Sequence, residues 1–395
     1  MAALDWITIK GFKSIKSVER LPLRDINVLV GANGSGKSNF IGAFSFLNSI
    51  RSGRLQYDTR RSGGADRILH FGSKTTASML FHISFEEQSN QYRIQLESDQ
   101  MDSLMPSSET VLFWNGQRYS EPYDEPISGN YGEAGISISG LTGISRFVQE
   151  HLERWKIFQF HDTIFSSPIK KTCNLHDNLY LRADGSNLAA FLFLLRNNHR
   201  DSYSLIRKTV HLVVPFIDDF VLVPMALNQE KIRKQWKHIG SDLYFDGSTL
   251  SDGSLRFIAL TTLLLQPKSL RPSVVLMDEP ELGLHPFAIE ILAALIRQAS
   301  IDTQVILATQ SSRLLDHFEP RDVIVANRVS HATELERLRE KELKKWLRDY
   351  SLRFRYTVSF RMHRYFATTP SERDNEAVGW DGRPSWAVRG ALDYA

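Results

Sequence analysis

Leu250-Ser251-Asp252-Gly253-Ser254 decides how the rest of this chain is read, because of what stands on either side of it. Far upstream lies Gly31-Ala32-Asn33-Gly34-Ser35-Gly36-Lys37-Ser38. Downstream lies Val274-Val275-Leu276-Met277-Asp278-Glu279-Pro280. Alone, a Leu-Ser-x-Gly turn is a helix cap. Ser251 or Asp252 can cap the apolar helical pattern formed by Leu255, Phe257, Ile258, Leu260, Thr261, Leu264 and Leu265. The N-terminus of such a helix is an anion site.

The upstream run fits Gly-x-x-x-x-Gly-Lys-Ser at every position. It follows an apolar run, Ile26 to Val30, that reads as a buried strand. It precedes Asn39 to Phe44, which reads as a helix. Glycines let the backbone curl so that successive N–H groups point at phosphate oxygens. The expected nucleotide contacts are Gly31, Asn33, Gly34, Ser35, Gly36, Lys37, Ser38 and Asn39. Lys37 is expected to reach the β- and γ-phosphates of ATP, and Ser38 to ligate Mg²⁺.

Val274 to Met277 is a continuous apolar run, as expected of a strand buried on both faces. Asp278 at its end is expected to hold Mg²⁺, directly or through water. Glu279 is then placed to polarise the attacking water, a role typically worth ~10²–10⁴ in rate. The helix after Ser251 is a second anion site in the same chain. One ATP does not easily use both if they face apart. A head-to-tail pair with two-fold symmetry resolves this, each signature helix closing on the partner's ATP.

With these residues in place, the chain resembles an ABC-type ATPase head of the RecF/SMC group, from about Leu4 to Tyr350. Ile9-Lys10-Gly11-Phe12-Lys13-Ser14-Ile15 resembles that group's opening strand. Gly31 to Asn39 is that group's wording of the phosphate loop. Asp278-Glu279-Pro280-Glu281-Leu282-Gly283-Leu284-His285-Pro286 is similar to its Walker B and D-loop. Phe160-His161-Asp162-Thr163, Asp184-Gly185-Ser186-Asn187-Leu188 and Ala308-Thr309-Gln310-Ser311-Ser312 resemble a prokaryotic subset. These are stand-alone RecF-like ATPases of AAA type, often found in antiphage defence loci. The resemblance implies that Ser251 and Gly253 touch the partner's γ-phosphate and that Leu282 to Leu284 cross the dimer axis. It makes Gln159 a candidate Q-loop glutamine sensing Mg²⁺. Two residues depart from the pattern. Asp252 stands where the wider family often has glycine. Gln310 stands where a switch histidine usually sits; a glutamine hydrogen-bonds phosphate but carries no proton, so slow turnover is expected.

The expected fold is α/β. It is an ABC-ATPase head with a mixed, largely parallel sheet flanked by helices, plus an antiparallel β lobe and a helical lobe. The head spans 1–350. It comprises an N-terminal lobe with the phosphate loop and a β insert (1–143), a helical and β insert (144–249), a signature, Walker B, D-loop and switch lobe (250–330), and a charged helix (331–350). An irregular tail, 351–395, interleaves cations and aromatics. From Ser38 to Ser251 is 213 positions (251 − 38) without sustained heptads, so the insert is compact. Within it, Met79 to Glu86 and Gln91 to Glu97 alternate as strands. Trp114-Asn115-Gly116-Gln117 reads as a tight hairpin turn, and 121–143 as loop. Glu334 to Tyr350 reads as the charged helix, with Leu335, Leu338, Leu343 and Leu347 as apolar points.

A chain of 395 residues, 42% hydrophobic, suffices for a large core. A single cysteine, Cys173, excludes an internal disulfide framework. No apolar run reaches the ~18 residues of a membrane span, and no signal peptide is expected, which points to the cytoplasm. A net charge of +3 neither demands nor excludes nucleic acid.

The pattern thus implies an ATP-binding, ATP-hydrolysing protein that forms a homodimer or higher homo-oligomer through an ATP sandwich. It would couple nucleotide state to DNA or to a separate effector protein, such as a nuclease, in antiphage defence. Two other readings stay open: a RecF-like DNA-repair ATPase, and a low-turnover ATP-binding scaffold.

Overall fold

The computed structural model describes residues 3–160 and 167–337, all within one compact unit. The chain opens with a hairpin, β1 (Leu4–Phe12) and β2 (Ile15–Pro22), and then β3 (Ile26–Val30) runs into α1 (Lys37–Arg51). Short helices α2 (Leu55–Arg61) and α3 (Ala65–Ile68) follow. Next come the strands β4 (Ser78–Phe85), β5 (Asn90–Ser98), β6 (Leu104–Phe113) and β7 (Tyr123–Pro126). Helix α4 (Gly143–Glu153) leads into β8 (Trp155–Phe158).

An outlying lobe holds α5 (Leu188–Asn198), α6 (Arg200–Val213) and six short strands. These strands are β9 (Cys173–Asn174), β10 (Ile217–Val221), β11 (Pro224–Met225), β12 (Asn228–Ile232), β13 (Gln235–His238) and β14 (Tyr244–Asp246). The last segment runs α7 (Asp252–Leu265), β15 (Val274–Asp278), α8 (Pro286–Ala299), β16 (Gln304–Thr309), α9 (Ser312–Leu315), β17 (Val323–Val329) and β18 (Ala332–Arg337).

Two six-stranded sheets carry the head. One is antiparallel, in the order β2-β1-β4-β5-β6-β7. The other has the order β18-β17-β3-β16-β15-β8, parallel except for the β17–β18 pair. Its central strands β3 and β16 are buried at every residue, as strands covered on both faces must be. Helix α1 fills the space between the sheets. Its Phe44 ring lies 5.4 Å from that of Trp155 on β8, and Phe46 lies 5.7 Å from Phe12 on β1. One hydrophobic core therefore spans both sheets. Because β3, β8, β15 and β16 run parallel, their carboxyl ends share one edge, where α/β sheets place their ligands.

Three local expectations are corrected. The Trp114–Gln117 turn does not close a tight hairpin. Phe113 pairs with Tyr123, so residues 114–122 all lie in the connection. A type I′ turn needs positive φ at both central residues, and neither Asn115 nor Gly116 has it. Instead the Asn115 carbonyl accepts from the N–H groups of Arg118 and Tyr119, at 2.9 Å each. Second, 121–143 is not all loop, since it contains β7 and a single 3-10 turn at Gly135–Ser137. Third, Glu334 to Arg337 belong to β18, not to a charged helix. The rest of that expected helix, the tail 351–395 and His161-Asp162-Thr163 lie outside the described residues. No described helix is long and apolar enough to cross a membrane.

Candidate nucleotide site

The phosphate loop joins β3 to α1 at the shared carboxyl edge. Gly34 and Gly36 take φ values of 77° and 103°, which only glycine adopts without strain. At Gly31 a Cβ would lie 2.2 Å from the Ala326 carbonyl oxygen of β17, and at Gly36 one would lie 2.0 Å from the Thr333 hydroxyl of β18. Gly36 caps α1 with no side-chain bond to the first-turn N–H groups, which leaves them open to an anion. The loop is braced from outside. Thr333 donates its hydroxyl to the Ser35 carbonyl at 2.8 Å, and its N–H reaches the Ser14 carbonyl at 2.7 Å. Arg328 donates to the Gly34 carbonyl at 3.2 Å. Asn39 turns its amide to the Ser14 hydroxyl at 2.7 Å, so its side chain is engaged in this scaffold. Ser35 Oγ is buried and has no hydrogen-bond partner among the described residues. The Asn33 side is exposed.

Lys37 is buried, and its Nζ donates to the carbonyls of Gly31 at 2.7 Å and Ala32 at 3.0 Å. Burial pulls its ammonium below the usual lysine range, while Glu279 and Asp278 oppose that shift. Both carboxylates therefore act on the phosphate-loop lysine.

Asp278 ends β15. Glu279 leaves the strand with φ 42°, in the left-handed region that non-glycine residues rarely occupy. The N–H of Glu279 holds it there by donating to the Ala308 carbonyl at 2.8 Å. The Gln310 amide donates to Glu279 Oε1 at 2.5 Å. The segment carrying Gln310 is fixed from beneath. The Thr309 hydroxyl donates to buried Glu281 and accepts from the Ser311 N–H at 2.9 Å. Burial pushes the Glu281 carboxyl up, and the Thr309 bond opposes it. After Glu281 the chain turns through Leu282, Gly283 and Leu284. Leu282 is half exposed, and His285 caps α8 by accepting from the Phe287 N–H.

A cleft of about 680 Å³ runs along α1 from this point. Ser38, Gln159 and Asp278 line it together, although they come from the first turn of α1, the residue after β8 and the end of β15. The side chain of Gln159 is exposed, and its N–H is tied to the Ala183 carbonyl at 3.0 Å. Lys13, Arg61 and Asp184 also line the cleft. Sequence reading did not assign roles to these three. Lys13 had a signal: it sits in the β1–β2 turn with φ 47°, inside the stretch that carries the family resemblance. Arg61 had none, because it reaches the cleft only through the packing of α2.

Ser251 and Gly253 do not line this cleft. Ser251 caps α7, its Oγ accepting from the Ser254 N–H at 3.1 Å, and it is exposed. Asp252 is paired with Lys170 at 2.8 Å. Gly253 sits so close to Gly283 that a Cβ would lie 2.4 Å from the Gly283 carbonyl oxygen.

The donor set fits a nucleoside triphosphate with a divalent cation. A glycine cradle with no room for a Cβ at Gly31 or Gly36 faces a lysine, and a hydroxyl and a carboxylate share one cleft. Such a site on such a sheet defines a P-loop nucleotide-binding protein of ABC type. A family profile described as "AAA domain, putative AbiEii toxin, Type IV TA system" matches residues 26–316, so the chain belongs to that family, within the RecF/SMC-like ABC-type ATPases.

Structural maintenance of chromosomes protein 3 of Arabidopsis thaliana is 29% identical over 120 residues, 29% of this chain and 9% of that protein. The DNA replication and repair protein RecF of Shewanella piezotolerans is 28% identical over 111 residues, 28% of this chain and 31% of that protein. The chain thus matches less than a third of the length of either relative. The crystal structure of an Smc head bound to the C-winged helix domain of ScpA superposes with a TM-score of 0.56 at 17% identity, covering 87% of this chain and 99% of that one. The fold is that of an SMC head.

Proposed function

We propose that this chain binds ATP with Mg²⁺, that two copies close head to tail on two ATP molecules, and that hydrolysis at Glu279 reopens them. One observation carries the reading. Ser38, Asp278 and Gln159 meet in one cleft beside Lys37, while Ser251 stands exposed and Gly253 half-buried outside it. A chain that supplies half of a phosphate cradle and displays the other half elsewhere is completed by a second copy.

Bound Mg²⁺ would supply charge neutralisation at the phosphate oxygens. Ser38 and Asp278 would hold it, with Gln159 on the same wall. Lys37 exchanges the Gly31 and Ala32 carbonyls for phosphate oxygen. Glu279 takes the proton of the attacking water, and the Gln310 amide orients that carboxylate. Leu282 to Leu284 form the turn that faces the partner copy.

The shape change between open and closed pairs is what a second macromolecule reads. The matched family is described through a toxin of a type IV system, which supports a prokaryotic defence role beside a separate effector, in the cytoplasm. A low-turnover ATP-holding scaffold is the second reading, favoured by Gln310 because an amide carries no proton. Phosphate release from ATP tests the proposal. Wild type is expected to release phosphate, Lys37→Ala to lose ATP binding, and Glu279→Gln to bind ATP without turnover. Equal release by wild type and Glu279→Gln would remove Glu279 from its role.

A further inference from the structure

Arg256 lies on the second turn of α7 and is 4% exposed, in a helix whose neighbouring inward positions are leucine, phenylalanine and isoleucine. Burial pulls its guanidinium below the usual range, while Asp252 and Glu281 oppose that shift. A buried cation in an apolar helix is costly, and an apolar side chain of similar volume would pack there more cheaply. What the arginine adds is position. Its Nε donates to the Phe160 carbonyl at 2.9 Å, one residue beyond Gln159. Its Nη1 lies against Gly283, where a Cβ would come within 3.2 Å of it. Gly253 closes the third side by packing on the Gly283 carbonyl. A single side chain thus meets the helix that carries Ser251 and Gly253, the loop that carries Gln159, and the turn that follows Glu281.

We infer that Arg256 is a positioning residue that locks the signature helix of a chain to the Gln159–Phe160 loop lining that chain's own cleft. The inference rests on the proposed ATP sandwich. Gln159 attends the chain's own nucleotide, and Ser251 with Gly253 attend the partner's. The lock therefore makes the signature that a chain offers depend on whether its own cleft is filled. In a closed pair this couples the two ATP sites, a linkage of the usual allosteric size. Bond strength at Arg256 is not the point; the hydrogen bond fixes the angle at which α7 leaves the cleft wall.

The test is hydrogen exchange on the full chain carrying Glu279→Gln, with and without ATP and Mg²⁺, at low protein concentration. The parent is expected to show slower exchange on ATP addition at both 31–39 and 252–257, the latter by about tenfold. Arg256→Met is expected to keep the change at 31–39 and lose it at 252–257. Arg256→Lys keeps the charge and most of the volume but cannot place a donor where Nε stands, so it is expected to lose the response as well. It also covers the case in which the methionine variant fails to fold. A response at 252–257 that survives in either variant overturns the lock, as does a parent whose α7 ignores ATP. Mass measured on the same samples separates the two ideas. A parent that stays monomeric with ATP yet shows the Arg256-dependent response would end the sandwich reading and leave the lock standing. In an active background, Arg256→Met should also abolish any cooperativity of phosphate release in ATP while leaving the ATP concentration for half-saturation of 31–39 within about threefold.

Discussion

Glu279 carries two burdens at once, a left-handed backbone and, in the proposed reaction, a carboxylate that faces the attacking water. Left-handed geometry at a non-glycine residue costs of order 1–3 kcal/mol and persists where surrounding bonds over-determine it. Here the Ala308 carbonyl and the Gln310 amide do so. Glu279→Gln is therefore expected to slow single-turnover hydrolysis by ~10²–10⁴ while ATP affinity changes little, as measured by quench-flow and nucleotide binding. Thr309→Val keeps the shape of the side chain but removes the hydroxyl that Glu281 and the Ser311 N–H share. It leaves a buried carboxyl without that donor, so a loss of roughly 1–3 kcal/mol in urea unfolding and a slower hydrolysis step are expected. Retention of wild-type stability by Thr309→Val would mean that this bond does not hold the switch segment. At this scale the sequence was most legible where chemistry and spacing coincide. Lys37, Ser38, Asp278 and Glu279 were all readable because their motifs are local. The Thr309–Glu281 bond was not, since nothing in either short run says that the two side chains meet.

Element boundaries followed the sequence closely where a strand is buried on both faces or a helix carries its own cap. The continuous apolar runs of β3 and β15 and the Ser251 cap of α7 stood where their patterns put them. Strand β18 escaped because Leu335 and Leu338 stand at helical spacing inside a charge-rich stretch. Its true period is two. Thr333 is buried, Leu335 packs on the core, and Glu334 and Glu336 pair with Asn327 and Val325 in the ladder. That misreading hid the brace of the phosphate loop, since Thr333 reaches Ser35 and Ser14 from the far end of the chain. Gly36→Ala puts a Cβ 2.0 Å from the Thr333 hydroxyl at φ 103°. It is expected to cost roughly 1–3 kcal/mol of stability and to lower ATP affinity with it.

The outlying lobe holds a second test at the scale of elements. Lys234, between β12 and β13, is 7% exposed, and its Nζ has no hydrogen-bond partner among the described residues. Burial pulls its pKa down from 10.5 to about 8, with Cys173, Asp246 and Asp184 opposing. Because the folded pKa lies below the unfolded one, charging the folded state costs stability. The cost is complete below about pH 8 and fades as pH rises from there toward 10.5. Lys234→Met is thus expected to raise stability at pH 7 by roughly 1–3 kcal/mol, with a gain that shrinks toward pH 10, read by urea unfolding at both pH values. A gain that grew with pH would contradict the assignment.

For the whole molecule, the architecture follows from two sheets sharing one helix. Helix α1 packs against both, so the phosphate loop at its N-terminus sits where the parallel strands end. The head was legible as a class because its three motifs come in a fixed order. The cleft was only half legible: the family resemblance pointed to Gln159 and its stretch included Lys13, but Arg61 reaches it by the packing of α2, which no local pattern encodes. The central claim is that the exposed signature of one copy completes the cleft of another. The most direct measurement is the solution mass of Glu279→Gln, by light scattering after size separation, with and without ATP and Mg²⁺. A monomer of 45.2 kDa that doubles only when both are present is the expected result. A mass that is the same with and without ATP, whether monomer or fixed oligomer, would contradict the ATP-closed pair.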